Sequence, residues 1–312
     1  MNNKKSMRIA ATHLITELGA KYDNLIGLGA DGKSIFLDFI KLYPDRYIDV
    51  GIAESNLVGI ASGLSRSSKK VIVSTMACFL TRKAYEQILL DVCVPNLDVI
   101  FIGIGVGLSY GTLGTSHHSI DDIALMNNMP NMCIFSPSDY IDARWALSKS
   151  LDIKSPCYIR FNAVEATVIN NEDDIFEVGI PKLVRDGKNL VIITTGSCVY
   201  ESILAANNVE KYGISVKIIN MITIKPINED CLLELIGSIE NILVIEEHIY
   251  FGGLGSILSL ILHNRKKSCR FYYKAIKSLK KDIANYKDLL ELYELDSLSI
   301  EKEILKIIGE KI

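Results

Sequence analysis

The segment 47–65, with the sequence YIDVGIAESNLVGIASGLS, most narrowly limits how this chain can fold. It opens with a short strand-like run that Gly51 ends, and it continues with apolar residues at helical spacing: Leu57, Ile60, Ala61 and Leu64. Glu54 falls at the junction of the two patterns. Because binding sites in α/β sheets are usually built at strand-to-helix junctions, Glu54 is a candidate residue of a ligand site. The alternative for Glu54 is a carboxylate favoured in a first helical turn by the helix dipole.

Short buried runs alternate with helical patterns along the rest of the chain. The runs that read as strands are 24–28, 47–50, 70–74, 98–104, 157–161, 190–194, 215–219 and 241–246. This alternation predicts an α/β fold of two doubly wound, mostly parallel sheet domains. A polar, acidic segment separates them, which gives domains over 1–165 and 179–312 with a linker over 166–178. Helices are predicted over 6–20, 79–92, 138–150 with Ser138 as its cap, and 199–212, with a few surface helices after residue 274.

Composition excludes several classes of protein. The chain has 312 residues, 34 Lys plus Arg against 37 Asp plus Glu, and a net charge of −3, so it lacks the basic footprint of a nucleic-acid-binding protein. Its apolar runs fall short of the roughly 20 residues that a membrane span needs. The first residues lack the apolar core of a signal peptide. Its 7 cysteines are scattered, which predicts reduced thiols in a cytoplasmic protein.

The segment 77–88, ACFLTRKAYEQI, places Phe79, Arg82 and Tyr85 at intervals of three, on one drifting helix face. A core aromatic stripe would show the same spacing, but Arg82 argues against a purely buried face.

Three further sites carry polar residues near predicted strand ends. The loop GTSHHSIDDIA, 114–124, contains His117 and His118. Adjacent histidines rarely share one metal, so no metal site is predicted, but histidine is the side chain whose ordinary pKa lies nearest neutrality, which suits it to proton transfer. Arg160 ends the strand CYIRF, where it could bind a ligand phosphate or pair with a nearby carboxylate. Asp31 lies in the loop GADGKS, which is either a site loop or a generic turn.

Five motifs occur in the order found in the transketolase family of thiamine diphosphate enzymes: GIAESNLVGIASGL, FL-x-x-x-x-Y, GTSHHS, INMITIKPIN and EEHIYFGGLG. The chain resembles the pyrimidine-binding and C-terminal domains of that family. The resemblance implies that Glu54 donates a proton to the aminopyrimidine ring of the cofactor. This role requires a carboxyl that stays protonated near neutral pH, which burial favours. It also implies that Phe79 stacks on that ring, and that Arg82 and Tyr85 line the pocket around it.

The same resemblance extends to the substrate. His117 matches the histidine that hydrogen-bonds substrate oxygens and moves protons, whereas His118 matches a variable position. Arg160 matches an arginine that grips a sugar phosphate. Asp31 lies in the loop that reaches towards the thiazolium and the substrate.

Three departures from the family pattern set further expectations. Leu113 stands where transketolase has an acidic residue that hydrogen-bonds a sugar hydroxyl. Gly105 stands where transketolase has a second histidine. The sequence has no G-D-G…N-N motif, which in the family holds Mg²⁺ and the cofactor's diphosphate. The resemblance therefore implies the C-terminal subunit of a split transketolase-like enzyme, which transfers a two-carbon ketol unit from a ketose, expected to be phosphorylated, to an aldose.

The implied partner is an N-terminal subunit that carries the diphosphate-binding domain and holds Mg²⁺. The implied assembly is α2β2 around a homodimer core, with Gly59 and Gly63 on a helix face suited to close contact with another helix. Two alternatives stay open: a deoxyxylulose-phosphate-synthase-like or oxo-acid dehydrogenase β-type decarboxylating subunit, and a non-catalytic assembly subunit.

Overall fold

The computed structural model describes residues 3–279 and 283–309. Its strands, in chain order, are β1 Lys4–Lys5, β2 Leu25–Gly29, β3 Tyr47–Asp49, β4 Lys70–Met76, β5 Val99–Ile104, β6 Cys133–Phe135, β7 Cys157–Phe161, β8 Ala166–Thr167, β9 Lys182–Arg185, β10 Leu190–Thr194, β11 Val216–Asn220, β12 Thr223–Lys225, β13 Asn241–Ile249 and β14 Arg270–Ile276. The α-helices are α1 Met7–Lys21, α2 Leu37–Leu42, α3 Glu54–Arg66, α4 Ala77–Lys83, α5 Tyr85–Gln87, α6 Asp122–Asn127, α7 Tyr140–Ser150, α8 Cys198–Val209, α9 Glu229–Ile236, α10 Leu254–Asn264, α11 Tyr286–Leu292 and α12 Ser297–Gly309. The predicted α/β class with mostly parallel sheets is confirmed.

The first sheet has seven strands in the order β12-β6-β7-β5-β4-β2-β3, and all its pairs are parallel except β12 with β6. Alternate residues of β4 face opposite sides: Val71 and Val73 join the apolar cluster that contains α3, while Ile72 joins the cluster that contains α1 and α7. Helices on both faces explain why these parallel strands are almost entirely apolar.

The second sheet has five strands in the order β14-β13-β10-β11-β9, with β9 as an antiparallel edge strand. Helix α12 is more than a surface helix, because it buries Ile300, Ile304 and Ile307 in the same cluster as α8. The expectation of surface helices after residue 274 was therefore wrong for α12. The apolar spacing of that helix, which repeats every three to four residues, is the signal that indicates a buried face.

The first sheet and its helices are joined to both the second half of the chain and the predicted linker. Strand β12 lies in the second half of the sequence but pairs with β6 in the first sheet. Strand β8 lies at the start of the predicted linker and pairs with β1, which follows the first residues of the chain. The predicted linker is also fastened to the first sheet's helices, since Asp139 accepts hydrogen bonds from the backbone N–H groups of Ile169 and Asn170.

Two local predictions need correction. The N-cap of α7 is Asp139 rather than Ser138. The Asp139 carboxylate accepts from the N–H groups of Ile141 and Asp142, and the Asp142 carboxylate accepts in return from the N–H of Asp139. The helix predicted over 79–92 is interrupted at Ala84 and ends in a π-helical turn over Ile88–Cys93. Because Ala84 separates α4 from α5, Tyr85 does not share one continuous helix face with Phe79 and Arg82.

Within the described part of the chain, no helix is long and apolar enough to cross a membrane.

Candidate active site

The residues that the sequence singles out gather at the carboxyl edge of the first sheet. Asp31 follows β2, Glu54 follows β3, Phe79 follows β4, and the loop 105–121 with His117 follows β5. Because parallel strands end at the same edge, four separate segments of sequence converge there.

Glu54 is the first residue of α3, and it is only 5 % exposed. Lys83, at the end of α4, places its Nζ 3.4 Å from the Glu54 carboxylate and 4.4 Å from the centre of the Phe79 ring. A group at that position therefore touches both a buried carboxyl and an aromatic face.

His117 approaches the same aromatic ring. The centres of the His117 and Phe79 rings are 5.2 Å apart in an edge-to-face arrangement, and the Ser116 hydroxyl lies 3.0 Å from His117 Nδ1. The structure thus places His117 beside the Phe79 ring, and Lys83 between that ring and Glu54. Lys83 was not among the predicted residues. The signal for Lys83 was its position four residues after Phe79, one helical turn further along.

Arg82 points to the loop. Its guanidinium donates to both carboxylate oxygens of Asp121, at 2.8 to 3.1 Å, and to the backbone carbonyl of His118 at 2.9 Å. It thereby fastens the residues that follow His117. Tyr85 is half-buried and packs against the apolar cluster that contains α3. Asp31 is exposed, and its backbone is left-handed, with φ 51°.

Arg160 lies inside the fold, 5 % exposed, beside the fully buried Asp122. Its Nε and Nη2 donate to the Asp122 carboxylate at 2.7 and 3.0 Å, and Tyr158 donates to the same carboxylate at 2.8 Å. Burial opposes ionisation of Asp122, but Arg160 outweighs it and lowers the pKa of that carboxyl. The third guanidinium nitrogen donates to Ser136. The sequence left two roles open for Arg160, and the structure contains the pair with a carboxylate. A phosphate would have to compete with Asp122 for the guanidinium.

The loop itself explains one departure from the family pattern. Gly105 has φ 81°, and a Cβ there would fall 2.0 Å from the Tyr110 ring, so no histidine fits at this position. Leu113 is half-exposed on the loop. His118 is fully buried; burial lowers its pKa, and neither of its ring nitrogens has a hydrogen-bond partner among the described residues.

Across residues 3–279 and 283–309, no group of three or more His, Cys, Asp or Glu side chains is placed to hold a metal ion.

Two domains of one known family match the chain. The pyrimidine-binding domain of transketolase matches residues 3–166, and the transketolase C-terminal domain matches residues 180–300. The chain belongs to the transketolase family. The first of these matches covers the strands, helices and loop that carry Glu54, Phe79 and His117.

Several relatives are single subunits of transketolases. The chain is 34 % identical over 261 residues to a subunit of the apulose-4-phosphate transketolase of Actinobacillus succinogenes, covering 81 % of this chain and 84 % of that one. It is 32 % identical over 252 residues to a 6-deoxy-6-sulfo-D-fructose transketolase subunit of Clostridium sp., covering 80 % and 78 % of the two chains. Among solved structures, a split-gene transketolase described as an inactive beta4 tetramer matches with a TM-score of 0.88 and 30 % identity over 97 % of this chain and 98 % of that one.

Proposed function

We propose that this chain is the C-terminal subunit of a split, thiamine diphosphate-dependent transketolase, which transfers a two-carbon ketol unit from a ketose to an aldose. The observation that carries the proposal is the buried Glu54 carboxyl beside the Phe79 ring and His117, at the carboxyl edge of a sheet that belongs to this family.

The residues present suit an aminopyrimidine. The position that Lys83 Nζ takes, between a buried carboxyl and an aromatic face, is one where a flat heterocycle with ring nitrogens can both stack and accept a hydrogen bond. Glu54 and Phe79 would hold that ring, and the half-exposed Lys83 would yield its place to it. When bound, thiamine diphosphate supplies the carbon nucleophile that breaks and forms the carbon–carbon bond.

The chain's own residues would transfer protons and orient the reacting groups. Glu54 would hold a proton towards the ring. His117 would exchange a proton with a substrate oxygen, with Ser116 at 3.0 Å from Nδ1 to orient its imidazole. Arg82, through Asp121 and the backbone of His118, would keep the loop closed on the site. The roles of Tyr85 and Asp31 in lining the site are part of the same proposal.

The second subunit would hold the diphosphate and Mg²⁺, for which this sequence has no motif. We place the active complex in an α2β2 assembly with a homodimer core. The face of α3 that carries Gly59 and Gly63 supports this placement, because a Cβ at either position would meet nothing within 4 Å in the chain itself. The cytoplasm is the proposed compartment, since the cysteines described are all free thiols.

The test uses Glu54→Gln, which keeps the side chain's size but removes its acidic proton. The purified chain alone is expected to show no ketol transfer. After reconstitution with the N-terminal subunit, proton exchange at the cofactor's thiazolium C2, followed by NMR, is expected to slow by orders of magnitude in the variant.

Glu86→Gln is the matched control, because Glu86 lies on the neighbouring helix α5 but is exposed. Equal exchange rates in Glu54→Gln and wild type would reduce Glu54 to a helix-start carboxylate. Ketol transfer by the isolated chain would overturn the split-enzyme part of the proposal.

A further inference from the structure

Glu247, on strand β13 of the second sheet, reaches into the loop that carries His117. It is 6 % exposed, and its Oε1 accepts a hydrogen bond from the backbone N–H of Leu108 at 2.5 Å. Its other oxygen accepts from the hydroxyl of Tyr286 at 2.7 Å and from the hydroxyl of Ser197. One carboxylate therefore joins α11 and the loop before α8, both from the second half of the chain, to the start of the loop 105–121.

The loop is shaped around this carboxylate. Gly107 has φ 63°, and a Cβ there would fall 2.3 Å from Glu247 Oε1, so only glycine permits the approach. Gly107 then pairs with Ser119 through two backbone hydrogen bonds of 2.7 and 2.9 Å. Ser119 is two residues from His117. By fixing Gly107 and Leu108, Glu247 therefore also restrains the backbone next to His117.

The far end of the loop is fixed by the first sheet. Asp122 follows the loop and is bonded by Arg160 and Tyr158. Arg160 and Glu247 line the same cavity of about 10 Å³, so the two anchor points adjoin. One end of the loop is therefore held by the first sheet, through Asp122, and the other by the second, through Glu247.

We propose that Glu247 is a positioning residue for His117, through which the second domain holds the 105–121 loop in its reactive arrangement. The catalytic part of this inference rests on the proposed function. The second domain then takes part in the active site without touching the substrate, and the loop's order depends on a carboxylate at least 120 residues away in sequence from any residue of the loop.

The adjacent residue provides a matched control. Glu246 is also a buried carboxylate with three donors, the N–H groups of Leu254 and Gly255 and the hydroxyl of Tyr273, at 2.7 to 2.8 Å. All three donors lie in the second half of the chain. Replacing Glu246 by Gln perturbs a buried carboxylate of the same strand without touching the loop.

The experiment compares Glu247→Gln with Glu246→Gln by hydrogen–deuterium exchange of the full chain. An amide side chain presents an NH₂ group to donors, so Glu247→Gln is expected to raise exchange at Leu108 and Ser119 at least tenfold. Glu246→Gln is expected to raise exchange only in the first turn of α10. Tyr286→Phe, which removes one donor and leaves the carboxylate in place, is the milder variant and is expected to change the loop in the same direction.

Loop exchange that rises in both Gln variants, or in neither, would overturn the proposal. In the reconstituted enzyme, Glu247→Gln is expected to lower kcat at least tenfold while the Kd for cofactor stays within twofold, because Glu54 and Phe79 are unaffected. A kcat equal to that of wild type would refute the positioning role. Since the exchange measurement needs no cofactor or substrate, failure of the proposed ketol transfer would be recognised separately.

Discussion

Replacing Arg160 by Met decides between its two roles, structural anchor and phosphate ligand. Arg160 is 5 % exposed and Asp122 is fully buried, with two hydrogen bonds between them. Removing one partner of such a pair leaves an uncompensated buried charge, which costs about 3–5 kcal/mol. Tyr158 would be the remaining donor to the Asp122 carboxylate among the described residues.

The assay is urea unfolding followed by the fluorescence of Trp145, the chain's single tryptophan, which packs between Phe135 and Phe176. With a slope of about 2 kcal/mol per molar urea, the loss corresponds to a fall in the midpoint of about 2 M. The double variant Asp122→Asn/Arg160→Met removes the stranded charge and is expected to regain more than half of the loss.

Arg144→Met is the matched control. Arg144 forms a surface pair with Glu17 at 2.9 Å, and such pairs contribute at most about 1 kcal/mol. If Arg160→Met unfolds at the wild-type midpoint and instead loses the preference for phosphorylated over free ketoses, the structural reasoning is refuted and the phosphate role stands.

Three other predictions follow from particular residues. Burial and the charge of Asp139 raise the pKa of Asp142 to about 7. Its contribution to stability is therefore full below about pH 4 and lost as pH rises to about 7, on the order of 4 kcal/mol, and Asp142→Asn should flatten the urea-derived stability curve over that range. Gly63→Leu should leave the circular dichroism of the chain unchanged, since nothing lies within 4 Å of a Cβ there, but should weaken assembly in sedimentation velocity; an unchanged complex would reject the α3 contact. Leu113 cannot accept a hydrogen bond from a sugar hydroxyl, so Leu113→Asp should raise kcat/KM for xylulose 5-phosphate about tenfold to a hundredfold. A wild-type enzyme that already uses xylulose 5-phosphate with ordinary transketolase efficiency would contradict this.

The sequence predicted those parts of the fold that repeat locally. Strand β7 was predicted with its observed bounds, and α3 was predicted to begin at Glu54, because apolar spacing and a glycine break mark them. Strands β6 and β12 were missed, since three residues give no measurable period and neither strand is ended by a glycine, as Gly51 follows the equally short β3. Their pairing is fixed only by tertiary structure.

The site was predictable to the same extent. Glu54, Phe79 and His117 stand in motifs, and the structure brings them together. The partners of Arg160 and of Leu108 could not be read from the sequence, because Asp122 and Glu247 lie 38 and 139 residues away from them. Long-range hydrogen bonds leave no periodic trace in a sequence.

The pairing of β12 with β6 has a consequence for how the chain can be divided. A cut in the segment 166–178 would separate β12 from the sheet it completes and leave β6 as an open edge. Open edges of this kind can recruit strands from other molecules, so the N-terminal fragment is expected to be more prone to aggregation than the full chain. The two halves are therefore best regarded as one folding unit. A fragment or fusion that is meant to contain the complete first sheet should end beyond Lys225.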